Sequence, residues 1–522
     1  MRWVSLFVAI FVLNSALSFH NLWPTPWITL WPEVSVEACA LILAIAAFRR
    51  VVGRPSRALL IAVAVALFFM VLGRYVEVTA PALYGRAINL YWDARYVPDV
   101  VAMLADAVSP VMLAATFIGV LVAIALVCAL LYWAVGNIAR ALESRPTSVY
   151  LPVISALLVA AYFLGYHRVL PTLRAFSIPV TQTYARQLEF VLDAVGGRAL
   201  AALPVASPLE SLNVEMVGRR DMLVTFVESY GATAFDVPSV AMATEEGREH
   251  LARAVTDTGR EVVSAFIESP TFGGGSWLAH ISFMTGIRVT DNATYNALLT
   301  QSRLTVPKLF RAGGYRAVAV MPGLKNQWPE GTFYGFDDIY GEAALDYLGP
   351  EFGWWRIPDQ YSLARIRALE LDTPNRAPVF VFFPTISTHA PFRPTPPYQP
   401  DWKRLMGPTP FSADALTGSL EFPQGFSEYR AAYGDALAYT YEYWAGYLQN
   451  NAADDAILVI LGDHQPPATV SGEGVRWDIP VHVITRSADL ASSLRARGFV
   501  SGLVPNTNAI AQMHELAPML IR

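Results

Sequence analysis

The chain has 522 residues and a formal net charge of -5; 54% of its residues are hydrophobic and only 16% are charged. That length exceeds one ordinary core and predicts at least two domains. The charged share lies below the about 25% usual for soluble proteins, and the balance excludes the basic footprint of a nucleic-acid binder. The two cysteines, Cys39 and Cys128, sit inside apolar runs. They read as small buried hydrophobes rather than as a disulfide framework or ligands.

The excess of apolar residues is concentrated in the first third. Five segments there approach the about 20 residues needed per membrane crossing: Trp3 to Phe19, Val34 to Phe48, Ala58 to Leu72, Val111 to Val135 and Tyr150 to Tyr166. The first is not followed by a small-residue cleavage site and a polar start, as a signal peptide would be. It is followed by "NLWPTPWITLW", whose tryptophans suit an interfacial belt. Arg49, Arg50, Arg54 and Arg57 lie between the second and third segments, and Arg140 and Arg145 between the fourth and fifth. Both loops fall on one side, as does Arg2, and positive-inside reasoning makes that side cytoplasmic. Five crossings then place the rest of the chain outside the cytoplasm, in a cytoplasmic membrane. The loop from Arg74 to Pro110 interleaves aromatics and charges, and reads as a connector lying on the outer surface as amphipathic helix. Residues 1–166 form the membrane domain in this reading, and 167–220 a helical connector.

From 221 to 522 the pattern changes. "MLVTFVE" (Met222 to Glu228), "YRAVAVM" (Tyr315 to Met321), "PVFVFFP" (Pro378 to Pro384), "AILVILG" (Ala456 to Gly462) and "PVHVIT" (Pro480 to Thr485) are short, β-branched and bounded by turn signals. Strands of this kind separated by helical stretches predict an α/β domain with a mostly parallel sheet. Ligands gather at the carboxyl ends of such strands.

The polar residues at those ends are Glu228, His389, Asp463 and His464. Carboxylates and imidazoles converging on one sheet edge suit a divalent cation, Zn²⁺ or Mn²⁺. "SPTFGGGSWLAH" adds Ser276 after three glycines, at a predicted helix start. Backbone N–H groups and the helix dipole favour an anion there, and a metal contact would activate the hydroxyl. Taken singly, each residue also has a structural reading: a strand-end ion pair for Glu228, a cap for Asp463 or Ser276, a satisfied loop histidine for His389. His280, four residues beyond Ser276 on the same helical face, is a substrate contact, a second metal contact or a surface helix residue. Thr271 is a lesser candidate nucleophile, since it precedes the glycines.

"FVESYG", "GGGSW", "STHAPF" and "LGDHQPP" together resemble the sulfatase-like branch of the alkaline phosphatase superfamily. Membrane-bound relatives of that type are lipoteichoic acid synthases, phosphoglycerol transferases and phosphoethanolamine transferases, which place five transmembrane helices before such a domain. The resemblance implies an alkaline-phosphatase-like fold for 221–522. It implies Glu228, Asp463 and His464 as metal ligands, and Ser276 as a nucleophile that also touches the metal and carries a phosphoryl group. It gives His389 the phosphoryl oxygens or the leaving group. The implied reaction moves a phospholipid-derived phosphoalcohol, phosphoglycerol or phosphoethanolamine, onto an envelope glycan or lipid. The lipoteichoic acid synthases use threonine where this chain has Ser276. Their substrate loop carries a histidine before and an arginine after a tryptophan; here "MPGLKNQWPEGTFYGFDD" keeps Trp328, places Met321 and Glu330 near those positions, and offers Lys325 as positive charge. "SWLAH" lacks the proline and arginine of a sulfatase formylglycine site. Two other functions share these motifs: a phosphodiesterase or phosphatase with water as acceptor, and a non-catalytic binding module.

Overall fold

The computed structural model describes residues 2–98, 101, 109–165, 175–196, 198–326, 328–353, 356–421, 423 and 425–521. The chain divides into two compact units, one of residues 1–83 with 87–195 and the other of residues 84–86 with 196–522.

In the first unit, helices form at all five expected sites: Arg2–Ser18, Val36–Val51, Arg57–Tyr84, Pro110–Ala141 and Arg145–Phe163. Three of them, of 28, 32 and 19 residues, are long and apolar enough to cross a membrane. The expectation of five spans is corrected to three on this criterion. Arg2–Ser18 has 17 residues and Val36–Val51 has 16; at about 1.5 Å per residue they fall short of a hydrocarbon core about 30 Å thick. The third helix also runs further than its sequence suggests. Arg74 and Glu77 mark a loop in the sequence, yet the helix continues through Pro81 to Tyr84. Arg74 is buried and donates to the carbonyls of Phe19 at 2.7 Å and Ile178 at 3.4 Å. Beyond it, the described residues of the connector include a short helix, Leu90–Asp93, and a turn at Ala94–Tyr96. Residues 99, 100, 102–108 and 166–174, part of the same readings, lie outside the described residues. Two short strands, β1 (His20–Asn21) and β2 (Ile28–Thr29), pair antiparallel over the tryptophan-rich stretch.

The second unit is built on a nine-stranded sheet. Its strands are β3 (Met222–Val227), β4 (Glu261–Glu268), β5 (Arg316–Val320), β6 (Asp338–Tyr340), β7 (Val379–Pro384), β8 (Ile457–Gly462), β9 (Asp478–Thr485), β10 (Val500–Ser501) and β11 (Ala509–Gln512). Their order is β10-β4-β9-β8-β3-β7-β5-β6, with β11 beside β4. β3, the central strand, pairs parallel to both β7 and β8. All six of its residues are buried, and they alternate between two cores. Met222, Val224 and Phe226 face one, and Leu223 and Val227 the other. A continuous apolar run covered on both faces is what a parallel strand requires.

The exceptions to the parallel pattern are β9, antiparallel to β8 and to β4, and β10, antiparallel to β4. β4, which is not among the strands expected from sequence, therefore points the same way as β3 and β8. Its carboxyl end delivers the Ser269–Gly275 loop to the edge where Glu228 and Asp463 emerge.

Candidate active site

Register alone brings two of the acidic residues together. Val227 on β3 is paired with Gly462 on β8, so Glu228 and Asp463 leave the sheet side by side. Ser229 then adopts a left-handed backbone, φ 58°, a strained state for a residue with a side chain. Two contacts hold it there: its N–H donates to Asp463 Oδ1 at 2.8 Å, and Tyr433 donates to its carbonyl at 2.8 Å. Asp463 Oδ1 also accepts the His464 N–H at 2.7 Å, which leaves Oδ2 facing the imidazole at 3.5 Å.

His464 is fixed from behind. Its Nδ1 lies 2.8 Å from the Gln465 carbonyl, so Nδ1 carries a proton and Nε2 faces the carboxylates, where it would offer a lone pair once a cation displaces its own proton. Gln465 is locked in turn. Its Oε1 accepts from Thr233, and its Nε2 donates to the carbonyls of Arg476 and Asp478.

Ser276 reaches the same point from the glycine turn. Gly273, Gly274 and Gly275 all have positive φ, at 61°, 138° and 79°, and the helix Ser276–Thr285 starts immediately after. Ser276 Oγ donates to Glu228 Oε2 at 3.0 Å and lies 3.2 Å from His464 Nε2. His464 Nε2 is 3.4 Å from Glu228 Oε1. Ligands about 2.1 Å from a tetrahedral ion stand about 3.4 Å apart, so this spacing fits a cation of that size. Ligand atoms of Glu228, Asp463 and His464 all lie within 4.8 Å of one another.

Charge gives the same reading. Burial and the Glu228 charge push the Asp463 carboxyl up. Burial opposes the His464 imidazolium, but Asp463 and Glu228 outweigh it and push that pKa up. Burial also opposes the Glu228 charge, yet the charges of His464 and His389 hold its carboxyl well below the usual range. Two buried carboxylates against one imidazole form a site short of positive charge, which a divalent cation would supply.

His389 sits in the turn after β7, with Nδ1 2.7 Å from the Ala390 carbonyl. The residue that builds this turn is Asp359, which the sequence does not single out. It is fully buried, and its two carboxylate oxygens accept the N–H groups of Ile386 and Ser387, each at 2.9 Å. Thr385, just before, accepts the Glu228 N–H at 3.2 Å. "PDQYSLA" carries no spacing that ties it to "STHAPF"; only the fold joins them. Ser229 and Gln465 lie inside the quoted motifs and take positioning roles there.

The remaining candidates separate. A cavity of about 200 Å³ opens beside Ser276, and Trp328 and His280 line it. His280 is therefore not a surface residue. Its ring packs edge-on against Phe226 and Phe382, with centroids 4.7 and 5.3 Å away. It also stands outside the cation cluster, and its Nε2 has no hydrogen-bond partner. Burial pushes its pKa down to about 3, so the imidazole is neutral. Lys325 is exposed and does not line the cavity. Thr271 donates to the Gly274 carbonyl at 2.6 Å; it braces the glycine turn.

The family model described as Sulfatase matches residues 275–481, a range that runs from the glycine turn to β9. Several solved structures are similar at low identity. The lipoteichoic acid synthase LtaP from Listeria monocytogenes is 13% identical, over 56% of this chain and 71% of that one, with a TM-score of 0.35. The Streptococcus pyogenes phosphoglycerol transferase GacH, in complex with sn-glycerol-1-phosphate, is 12% identical over 63% and 80%, with a TM-score of 0.36. The C-terminal periplasmic domain of EcEptC from Escherichia coli, in complex with Zn, is 14% identical over 61% and 86%, with a TM-score of 0.38. A search of curated proteins by sequence gave no match.

Proposed function

We propose that this chain, whose residues 275–481 form a sulfatase-family segment, is a membrane-anchored, metal-dependent phosphotransferase. It moves a phospholipid-derived phosphoalcohol onto an envelope glycan or lipid through a covalent intermediate on Ser276. The observation that carries this reading is the position of Ser276 Oγ. It stands at a helix N-terminus, within hydrogen-bond distance of both Glu228 Oε2 and His464 Nε2.

Glu228, Asp463, His464 and Ser276 would hold the cation, Mn²⁺ or Zn²⁺, which when bound lowers the pKa of a hydroxyl and polarises a phosphoryl oxygen. The chain's own groups do the rest. Ser276, held by Glu228 Oε2, releases its proton to solvent as Oγ bonds to phosphorus. The bond from phosphorus to the lipid alcohol breaks. His389, with Nδ1 engaged by the Ala390 carbonyl, donates from Nε2 to the departing oxygen. The N–H groups at the helix start face the phosphoryl oxygens. In the second half an acceptor hydroxyl passes its proton to His389 Nε2 as its oxygen bonds to phosphorus, the bond from phosphorus to Ser276 Oγ breaks, and Oγ takes a proton back from solvent.

The arginine turns are cytoplasmic and the C-terminal unit is extracytoplasmic. Donor and enzyme then share one membrane surface.

The test is Ser276→Ala in membranes supplied with head-group-labelled phospholipid. Turnover is expected to fall by at least about a thousandfold, with no label trapped on the protein. Full turnover with label still trapped would overturn the assignment. Label on a larger glycan or lipid marks transfer, and label released as free head group marks hydrolysis.

A further inference from the structure

The cavity beside Ser276 has an unusual wall for a site that would hold a polar alcohol. Six aromatic side chains line it: Trp277, Tyr295, Trp328, Tyr334, Phe336 and Phe382. They form a connected surface. Trp328 stacks on Tyr334 with centroids 5.3 Å apart, Tyr334 meets Phe336 at 6.1 Å, and Phe336 stacks on Phe382 at 5.9 Å. Trp277 is fixed by its indole N–H, which donates to Asn292 Oδ1 at 2.8 Å. Among the described residues that line the cavity there is no carboxylate and no lysine or arginine.

This lining discriminates between head groups. A glycerol moiety brings two hydroxyls that need partners, and a wall of rings offers few. A primary ammonium brings three strong N–H donors, which call for a carboxylate that the wall lacks. A quaternary ammonium brings no N–H at all. Its charge is spread over methyl groups, which aromatic faces satisfy directly. The volume of about 200 Å³ admits a group of that size. We propose that the cavity is the subsite for the alcohol portion of the donor, and that it selects a quaternary ammonium alcohol of the choline type. The inference rests on the function proposed above and assigns its substrate class.

The test uses the whole Ser276→Ala protein in detergent, so that binding is read without chemistry. Four ligands are titrated by calorimetry: phosphocholine, neohexyl phosphate (a carbon replacing the nitrogen), phosphoethanolamine and glycerol phosphate. Phosphocholine is expected to bind at least about tenfold tighter than each of the others. Equal binding of neohexyl phosphate would overturn the inference, because it would show an apolar pocket indifferent to charge. Tighter binding of phosphoethanolamine or glycerol phosphate would overturn it as well. Adding Trp328→Leu keeps apolar bulk and removes a π face. It is expected to weaken phosphocholine about tenfold and neohexyl phosphate hardly at all, while Trp328→Phe restores most of the loss. Equal weakening of both ligands would again overturn the inference. The two readings fail separately: label trapped on the wild-type protein without choline selectivity sinks only the pocket assignment. Choline selectivity without any trapped label sinks only the transferase.

Discussion

At the scale of single residues, the site depends on groups that never touch the reacting atoms. Asp359 is the clearest. Removing its carboxylate in Asp359→Ala would leave the partly buried N–H groups of Ile386 and Ser387 without these acceptors, at no more than about 1–3 kcal/mol each. The expected result is a lower unfolding midpoint together with a loss of turnover larger than stability explains, because His389 rides on that turn. Unchanged turnover in the folded variant would show that the turn does not position His389. His482 gives a pH signature. It is buried between the Ser264 hydroxyl at 2.7 Å and the Tyr230 hydroxyl at 2.8 Å, and burial pushes its pKa from 6.5 down to about 3. Between those two values the unfolded chain binds a proton that the folded chain does not. Stability therefore falls as pH falls through 6.5 and continues to fall toward 3, by about 1.4 kcal/mol per pH unit. His280 acts with the same sign. His482→Gln should flatten the acid limb of a plot of denaturation midpoint against pH, and an unaltered slope would contradict the buried neutral ring.

At the scale of elements, the glycine turn and the strand that feeds it decide where Ser276 stands. Gly275 has φ 79°, and a Cβ there would sit 3.1 Å from Thr271 Oγ1. Gly314 has a similar φ, 82°, with open space around it. Gly275→Ala and Gly314→Ala should each lose about 1–2 kcal/mol from the left-handed backbone, and Gly275→Ala somewhat more because of the Thr271 contact. Only Gly275→Ala should also lose turnover, by about tenfold or more. Equal activity in the two variants would show that the turn does not aim the serine. Much of this site is legible in the sequence, because Glu228, His389 and Asp463–His464 each follow a strand made obvious by its apolar run. β4 is less legible. "EVVSAFIE" mixes Glu, Ser and Ala into a short run, and its membership in the sheet comes from pairing with β9 rather than from its own pattern. The aromatic wall is not legible either, since its rings come from segments between Trp277 and Phe382 that only tertiary packing aligns. In the membrane unit, Arg74 and Glu77 look like the end of a span, and the helix runs past them because Arg74 finds backbone carbonyls as partners.

At the scale of the molecule, three helices long and apolar enough to cross a membrane, together with the large α/β unit, make a topological prediction. A membrane-impermeant thiol reagent on intact cells should label Asp414→Cys in the second unit and leave Ser56→Cys, in the arginine-rich turn, unlabelled. Labelling of Ser56→Cys before lysis would invert the topology proposed above. The bond from the Ser229 N–H to Asp463 Oδ1 spans 234 positions, and it has a consequence for how the protein comes into being. A nascent chain that has emerged as far as the turn after β7 holds Glu228, Ser276 and His389 but has neither Tyr433 nor Asp463 to fix Ser229 in its left-handed state. Closing so long a loop is a late event in folding. The site therefore closes only after β8 has joined β3, so under the function proposed above a half-made chain would neither capture a cation nor attack the lipid beside which it is being assembled.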